Sequence, residues 1–395
     1  MNKNDAVDEL LTRGVAEVIG KEELLKKLRT GKELRVKLGI DPTSPNLHIG
    51  RGVVLMKLRD FQQLGHQVVF IIGDFTGVIG DTSDKDSERP MLTKDIVKKN
   101  LASYKEQASK LLDMKKVEFH FNSEWLAKLG FWEICEMADV FSLSEFVARE
   151  NIKRRLDAGT RVSLRELLYP LMQGYDSVMI KSDIELGGTD QRFNMLAGRD
   201  LQRNAGQDPQ AVITMDLILG TDGRKMSSSW GNTINVTDTP DDMFGKVMSI
   251  PDELIISYLI HCTRAPMEDV ALVEEEMKKG ALNPRDAKMR LAREIVTLYH
   301  GEEVAQNAEQ AFVAVFQKKE LPDEMPTFSL KKKTWNIVDL LVETALASSK
   351  SEARRVIAQG GVTIDGKAAK DTDETVEGEH IIKKGKRHFV KTISS

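Results

Sequence analysis

Three groups of polar residues in this chain have types and spacings that suit chemistry on a phosphorylated substrate. The first lies in DPTSPNLHIGR, where Thr43 and His48 stand at the start of a helical pattern. A helix N-terminus offers free N–H groups and the positive end of the helix dipole to an anion. Gly50 leaves room for a bulky group to approach the backbone. Taken alone, this stretch is weak evidence, because a histidine near a helix start more often caps the helix or faces solvent.

The second group lies in TDGRKMSSSWG, at positions 221–231. A glycine turn precedes an Arg-Lys pair, a methionine and three serines. A flexible loop with a lysine and hydroxyls suits a polyphosphate whose charge grows during transfer, since electrostatic stabilisation dominates such steps. Arg-Lys alone would also fit a basic surface turn. The pairing of HIG with a later KMSSS is far more specific than either part.

The third group lies in LLYPLMQGYDSVMIKSDIELGGTDQ. Tyr169, Gln173 and Asp176 have the i, i+4, i+7 spacing that places three side chains on one face of a helix. A phenol, an amide and a carboxylate can together hold a small zwitterion that carries a hydroxyl. Pro170 predicts that the helix begins close to Tyr169. The alternative is that Tyr169 is a core residue and the polar pair faces solvent.

The elements that must position these groups alternate between strand and helix. The runs LRVKLGI and QVVFIIGDF are short, apolar and β-branched, and a helical pattern begins between them at about Leu47. This βαβ unit predicts a parallel, Rossmann-like sheet with right-handed crossovers, whose ligands sit beyond the carboxyl ends of the strands. Asp41 and Asp81 both lie near such ends. The predicted fold class is α/β, with the catalytic domain at 1–229.

The rest of the chain predicts three further segments. An α-helical domain covers 230–322, and its clearest helix starts at Asn283-Pro284 with a cap and a proline in the first turn. A linker covers 323–334. A small α+β domain covers 335–395, with a capped helix in SSKSEARRVIAQGG and an Asp-Gly hairpin in VTIDGKAAK.

Composition limits the class of protein. Hydrophobic residues make up 41% and charged residues 30%, as in a globular protein, and no apolar run approaches a membrane span. The N-terminus lacks the apolar segment of a signal peptide, and Cys135 and Cys262, expected as buried apolar residues, form neither a disulfide framework nor a metal cluster. We expect a cytoplasmic protein with no membrane contact. Residues 331–395 carry 13 Lys or Arg against 9 Asp or Glu, which favours binding to a polyanion.

The chain resembles a known family through these motifs. HIG paired with KMSSS is similar to the motif pair of class I aminoacyl-tRNA synthetases. Tyr-x3-Gln-x2-Asp followed by GGTDQ resembles the tyrosine and ribose site of the tyrosyl-tRNA synthetase family, whereas the related tryptophanyl enzymes usually lack the aspartate. The segment from TWNIVDLL onward resembles a small RNA-binding domain shared with a ribosomal small-subunit protein.

The resemblance implies a role for each group of residues. The residues expected to act in catalysis are Thr43, His48, Arg51, Lys85, Arg89 and Lys225. The residues expected to bind tyrosine are Lys37, Asp81, Tyr169, Gln173, Asp176 and Gln191. The residues expected to bind ATP are Gly39, Asp41, Gly50, Gly188, Asp190, Met226 and Ser228. The residues expected to contact tRNA are Lys350, Arg354 and Arg355.

Three of these positions depart from the best-known form of the family. Arg51 replaces the second histidine of the first motif, which lies near the ribose and the α-phosphate. Ser228 replaces the second lysine of the KMSKS form. Lys37 replaces a tyrosine that contacts the substrate phenol in many members. We expect an active enzyme whose handling of ATP is altered at Arg51.

The implied reaction has two steps: tyrosine and ATP with Mg²⁺ form tyrosyl-adenylate, and the acyl group then passes to the tRNA terminal ribose. The expected partners are tRNA, L-tyrosine and ATP, the expected assembly is a homodimer, and no tightly bound metal is expected. Two alternatives stay open. One is a relative that activates tryptophan or another aromatic acid, and the other is a retired paralogue that binds RNA without catalysis.

Overall fold

The computed structural model describes residues 3–42, 44–81, 93–316, 326–330, 332, 334–369, 371–385 and 388–394. The chain forms two compact units, Met1–Ala305 and Gln306–Ser395. Thr43, Lys85 and Arg89, three residues predicted to act in catalysis, lie outside the described residues.

The first unit is built on a six-stranded sheet. Its strands are β1 (Val15–Ile19), β2 (Arg35–Ile40), β3 (Gln67–Ile72), β4 (Val117–Phe121), β5 (Ile184–Gly188) and β6 (Ala211–Met215). Their order is β1-β6-β5-β2-β3-β4, and every neighbouring pair is parallel except β1 with β6. The order reverses direction between β2 and β5, which is the place where open α/β sheets bind ligands. The predicted parallel α/β sheet is therefore confirmed.

Sequence accounts for the burial of the central strands. QVVFII in β3 and AVITM in β6 are almost continuously apolar and buried, as expected for strands covered on both faces. β2 contains one exception: Lys37 is fully buried within this strand. A buried ammonium needs several acceptors around it.

Helices α1 to α16 surround this sheet and continue beyond it. They are α1 (Lys3–Thr12), α2 (Lys21–Thr30), α3 (Ile49–Gln63), α4 (Thr76–Ile79), α5 (Lys94–Ala108), α6 (Ser123–Leu126), α7 (Phe131–Asp139), α8 (Leu143–Val147), α9 (Glu150–Asp157), α10 (Leu164–Ile180), α11 (Arg192–Asn204), α12 (Pro240–Met248), α13 (Ile255–Cys262), α14 (Met267–Lys278), α15 (Pro284–His300) and α16 (Glu302–Phe316). In the part of the chain that the structure describes, none of the helices is long and apolar enough to cross a bilayer.

Helix α10 begins earlier than predicted from Pro170. Ser163 caps it, and Glu166 completes a capping box, so Pro170 lies inside the helix. A proline in a helix interior removes the hydrogen bond to the carbonyl four residues earlier. Arg149 Nη2 lies 3.5 Å from that carbonyl, Glu166 O, and supplies a replacement donor. The cap and the replacement donor together explain why the proline is tolerated.

The helices that follow the sheet pack against α3 and the segment before β1. Arg264, after α13, makes a bidentate pair with Asp60 of α3 at 2.8 Å, and Arg13 donates to four carbonyls between Leu259 and Ala265. The predicted cap of α15 at Asn283 is confirmed. Because these helices share the first unit, no division between units falls at 229, and the finer domain boundaries stay predictions. Cys262 is buried as expected, but Cys135 is exposed.

Besides the part of α16 that follows Ala305, the described residues of the second unit form two helices and two small sheets. Its elements are β7 (Thr327–Leu330), β8 (Trp335–Asn336), α17 (Ile337–Glu343), α18 (Lys350–Ala358), β9 (Val362–Ile364), β10 (Lys367–Ala368), β11 (Thr375–Val376), β12 (Ile381–Lys384) and β13 (His388–Ser394). β9 and β10 form the predicted hairpin, and Asp365 and Gly366 have the positive φ angles of a type I′ turn. Ser349 caps α18, as predicted. The unit has its own apolar core.

Candidate active site

A cleft of about 780 Å³ opens beyond the carboxyl ends of β2 and β5. The predicted residues that line it are Gly39, Asp41, His48, Gly50, Arg51, Asp81, Tyr169, Gln173, Asp176, Gly188, Asp190, Gln191, Lys225, Met226 and Ser228. Segments far apart in the sequence thus meet at one cavity. Lys37 is buried beneath this cleft and does not line it.

The deep end of the cleft holds a continuous hydrogen-bonded chain of side chains. Tyr169 donates to Asp41 Oδ2 at 2.8 Å, and Thr76 donates to Asp41 Oδ1 at 2.7 Å. Asn122 donates to Thr76 Oγ1 at 2.9 Å and to Asp176 Oδ2 at 3.3 Å. Burial and the nearby Asp41 raise the pKa of Tyr169 well above its usual value, so its hydroxyl remains a donor. This series of hydrogen bonds links Tyr169 to Asp176, and both residues lie on α10.

Asp176 is a buried carboxylate with acceptor capacity to spare. Trp125 Nε1 donates to its Oδ1 at 2.7 Å, and Asn122 occupies one further acceptor position. A carboxylate has about four such positions, so two remain for a ligand. Burial raises the pKa of Asp176 to about 7, while the charge of Lys37 and the two donors oppose that rise. Asp176 therefore titrates near neutral pH in the empty cleft.

A second polar chain runs along the cleft wall from α10 to Asp81. Asn194 Nδ2 donates to Gln173 Oε1 at 3.1 Å and to Gln191 Oε1 at 3.2 Å. Gln191 Nε2 donates in turn to Asp81 Oδ2 at 2.7 Å. Oxygens of Gln173, Asp81 and Tyr169 thus face the same region of the cleft, and such oxygens suit a ligand ammonium.

The other end of the cleft is formed by the N-terminus of α3. His48 is the N-cap residue, and its carbonyl accepts from Gly52 N at 3.1 Å. A Cβ atom at Gly50 would lie 2.9 Å from His48 Nδ1, which explains the glycine. Nδ1 is buried and has no hydrogen-bond partner among the described residues. Burial, with the charges of Arg51 and Lys225, lowers the pKa of His48 to about 4, so the ring is neutral at physiological pH.

Arg51 points along this end of the cleft. Its Nη1 donates to the hydroxyl of Tyr104, which is buried on α5. Lys225 Nζ lies 3.3 Å from Asp190 Oδ2, so the lysine of the KMSSS loop reaches the predicted ribose-binding carboxylate. An imidazole, a guanidinium and an ammonium thus converge on one region, and that combination suits a polyphosphate.

Asn232 holds the KMSSS loop in this position. Its Oδ1 accepts from Ser227 N at 2.8 Å, and its Nδ2 donates to Asp222 Oδ1 at 2.7 Å and to Lys225 O at 3.1 Å. Ile49 N also donates to Ile234 O at 2.9 Å, which ties the segment after the loop to the start of α3. The loop and the HIG motif are therefore neighbours in the fold.

Sequence reasoning missed several residues of the site. These are Thr76, Asn122, Trp125, Glu185, Asn194 and Asn232. Asn122 follows β4 directly, in the way that Asp41 follows β2, so the position of a polar residue after a predicted strand was a usable signal. The other residues are brought to the site by long-range packing, which no local sequence pattern indicates.

The three residues predicted to contact tRNA lie in the second unit. Lys350, Arg354 and Arg355 are exposed on α18. Lys350 Nζ pairs with Asp339 at 2.7 Å. They form a basic helix face, as the sequence predicts.

Comparison with known proteins identifies the family. Residues 29–317 match the family model for class I tRNA synthetases (W and Y), and residues 317–391 match the C-terminal domain model of tyrosine–tRNA ligases. Tyrosine–tRNA ligase of Thermotoga maritima is 52% identical over 96% of this chain and 96% of its own. The Moorella thermoacetica enzyme is 48% identical over 97% of this chain and 94% of its own.

A solved structure agrees. The C-terminally truncated mitochondrial tyrosyl-tRNA synthetase of Coccidioides posadasii has a TM-score of 0.62 and 26% identity, over 78% of this chain and 91% of that one. The parallel sheet, the HIG helix and the KMSSS loop define a class I aminoacyl-tRNA synthetase. Within that class, the chain belongs to the tyrosyl-tRNA synthetase family.

Proposed function

We propose that this chain attaches L-tyrosine to tRNA in two steps. The tyrosine carboxylate attacks the α-phosphorus of Mg-ATP, which gives tyrosyl-adenylate and releases pyrophosphate. The hydroxyl of the tRNA terminal ribose then takes the acyl group, and AMP leaves. No nucleophilic side chain is required, because positioning and charge stabilisation carry the rate.

One observation carries the choice of amino acid: Asp176 is a buried carboxylate, 3% exposed, with acceptor positions left for a hydroxyl. A tyrosine phenol donates there, whereas phenylalanine would leave the carboxylate without that partner. Tyr169, Gln173 and Asp81 accept from the ligand ammonium, and Gln191 lies near its carboxylate.

The HIG end of the cleft takes ATP. Asp190 and Gly188 hold the ribose, and Gly39, Asp41 and Met226 complete the nucleotide site. Asp41 lies where this site meets the tyrosine end, since it accepts from Tyr169 and Thr76. The cationic groups of Arg51 and Lys225, with neutral His48, stabilise the phosphates in the transition state. Thr43, Lys85 and Arg89 add to this set by resemblance to the family. Mg²⁺ arrives with the nucleotide as part of the substrate.

ATP–pyrophosphate exchange with tyrosine, phenylalanine and tryptophan tests this proposal. We expect exchange with tyrosine, and we expect Asp176→Asn to reduce kcat/KM for tyrosine by roughly 10–100-fold, the range for losing a hydrogen bond to a charged group. Preferred exchange with tryptophan would favour the tryptophan-activating alternative. Absence of exchange with every amino acid would favour the retired paralogue.

We also infer a homodimer. Four large apolar side chains are exposed on α7, α8 and the first residue of α10: Phe131 (83%), Trp132 (74%), Leu143 (67%) and Leu164 (77%). The same three helices share a hydrophobic cluster beneath the surface. An exposed apolar patch of this kind fits a second copy of the chain.

Sedimentation velocity tests the dimer with Trp132→Asp, which should shift the protein to monomer. Leu272→Asp changes an exposed apolar residue on α14, 50% exposed and outside the patch, and should leave the mass unchanged. A monomeric parent protein at micromolar concentration would contradict the inference.

The remaining partners follow from the same proposal. Lys350, Arg354 and Arg355 contact tRNA phosphates, so tRNA affinity should fall steeply as salt increases. We propose that this enzyme works in the cytoplasm. Filter binding of tRNA to Arg354→Ala/Arg355→Ala at several salt concentrations checks the contact. An unchanged salt slope would exclude it.

A further inference from the structure

Lys37 lies on β2 beneath the tyrosine half of the cleft, and its ammonium is fully occupied. Its Nζ lies 2.8 Å from Gln173 O, 2.8 Å from Ser177 Oγ and 2.9 Å from Glu185 Oε1. An ammonium has three N–H donors, so these three acceptors use all of them. Lys37 therefore acts on a ligand only through its neighbours.

The partner carboxylate, Glu185, is equally enclosed. It lies on β5 directly opposite Lys37 in the parallel β2–β5 pair and is 1% exposed. Ser177 Oγ lies 3.1 Å and Gln210 Nε2 2.5 Å from its Oε2. A buried ion pair of this kind is costly to assemble and contributes little stability by itself, so stability alone does not account for it.

Glu185 determines which way the Gln173 amide faces. Gln173 Nε2 lies 3.1 Å from Glu185 Oε1. An ionised carboxylate only accepts hydrogen bonds, so Gln173 must present its NH₂ group to Glu185 and its oxygen to the other side. On that side Oε1 accepts from Asn194 and borders the cleft. One lone pair of this oxygen remains for a ligand.

We propose that Lys37 and Glu185 are positioning residues that fix the Gln173 amide with its oxygen toward the ammonium of the amino acid substrate. Lys37 pairs with the buried carboxylate, and the carboxylate, which only accepts hydrogen bonds, fixes the amide. This inference rests on the proposed tyrosine site and adds a determinant of specificity for α-amino acids. It concerns the ammonium end of the ligand, not the phenol.

Replacement of the ion pair should release this constraint, because Gln173 can then present NH₂ to the ligand ammonium, which repels it. In Lys37→Met/Glu185→Gln no uncompensated buried charge remains, and the amide at 185 accepts either face of Gln173. The double variant therefore removes the constraint without an unpaired charge.

The test compares the binding of two ligands by isothermal titration calorimetry on the full chain. One is L-tyrosine, and the other is 3-(4-hydroxyphenyl)propanoate, which has the same phenol and carboxylate but no ammonium. We expect the double variant to weaken tyrosine binding about tenfold, within the range for a hydrogen bond to a charged group, and to leave the desamino ligand within about twofold. Lys37→Met alone is not used for this comparison, because Lys37 also lowers the pKa of Asp176 and its loss would act on the phenol, whereas the double variant removes the opposing charges of Lys37 and Glu185 together. In exchange assays, the KM for tyrosine should rise while the KM for ATP is unchanged.

Lys57→Met is the matched control. Lys57 is also fully buried, 1% exposed, and its Nζ donates to Leu10 O outside the cleft. In this variant, the ratio of the dissociation constants of the two ligands should equal the ratio in the parent protein. Equal weakening of both ligands in the double variant, or no change in their ratio, would overturn the proposal. If the parent protein itself fails to bind tyrosine, the proposed function fails instead, so the two failures are distinguishable.

Discussion

The two ends of the cleft are built differently. At the tyrosine end, α10, α4 and the segments that directly follow β2 and β4 carry polar side chains that hydrogen-bond to one another, from Tyr169 through Asp41 and Thr76 to Asn122 and Asp176. At the ATP end, long cationic side chains reach in from a helix start and a loop. The side chains of the first end hydrogen-bond to one another, while the side chains of the second end carry positive charge that suits a polyphosphate.

The difference has a physical reason. Selecting one amino acid requires fixed donors and acceptors whose mismatch with a wrong ligand is costly, and rigid elements provide them. Stabilising charge that develops on phosphate requires cations that follow the moving group, and loops provide those. Lys225 is such a loop cation, and it pairs with Asp190, the carboxylate proposed to bind ribose. When ATP binds, contacts to phosphate and to ribose must replace this ion pair.

The largest effect is expected at the ATP end, from Lys225→Ala. Loss of this loop cation should lower the rate of adenylate formation by roughly 100–1000-fold, because removing one group that stabilises the developing charge has effects of that size. The dissociation constant of tyrosine should change by less than about twofold, since the tyrosine end remains intact. Single-turnover kinetics and calorimetry measure the two quantities.

Lys278→Ala is the control for that substitution. Lys278 is exposed on α14, pairs with Glu274 at 2.5 Å and lies outside the cleft. The rate of adenylate formation and the dissociation constant of tyrosine in this variant should equal those of the parent protein. A Lys225→Ala protein with a normal rate of adenylate formation would remove the loop lysine from the mechanism and with it the contrast between the two ends.

The tyrosine end was the more predictable of the two from sequence. Tyr169, Gln173 and Asp176 share one helix, and helical spacing alone places them on one face. Residues joined only by the fold were missed. Glu185 meets Lys37 because β2 pairs with β5, and no local pattern indicates that pairing.

The same limit explains the error at Pro170. A proline predicts a helix start when only local rules are considered. The capping box at Ser163 and the donor from Arg149 allow it inside α10. Arg149 precedes α9, so its contribution depended on tertiary structure that sequence rules do not supply.

A smaller effect is expected from Arg51→Ala. We expect kcat/KM for ATP in pyrophosphate exchange to fall by roughly 10–100-fold, because one charge-assisted contact to the nucleotide is lost, while the KM for tyrosine stays constant. Tyr104→Phe keeps the guanidinium and removes only its hydroxyl partner, so its effect should be weaker. Unchanged exchange in Arg51→Ala would exclude a role for this side chain in ATP handling.

The smallest effect concerns the pH dependence of the tyrosine end. Burial raises the pKa of Asp176 to about 7, so the protonated form predominates below that pH and the ionised form above it. Lys37 from β2, Glu185 from β5 and the donors Asn122 and Trp125 surround this carboxyl group. Only the ionised form accepts from the phenol with full strength. The kcat/KM ratio of tyrosine to phenylalanine should therefore rise by up to about tenfold from pH 6 to pH 8 and then level off.

Asp176→Asn separates this titration from every other one in the enzyme. An amide does not ionise in this range, so the ratio should become independent of pH, while changes common to both substrates cancel in the ratio. His48 does not contribute, because its pKa of about 4 lies below the range measured. A ratio that rises equally in the Asn variant would assign the titration to another group. Asp176 would then not be the group whose protonation near neutrality controls recognition of the phenol.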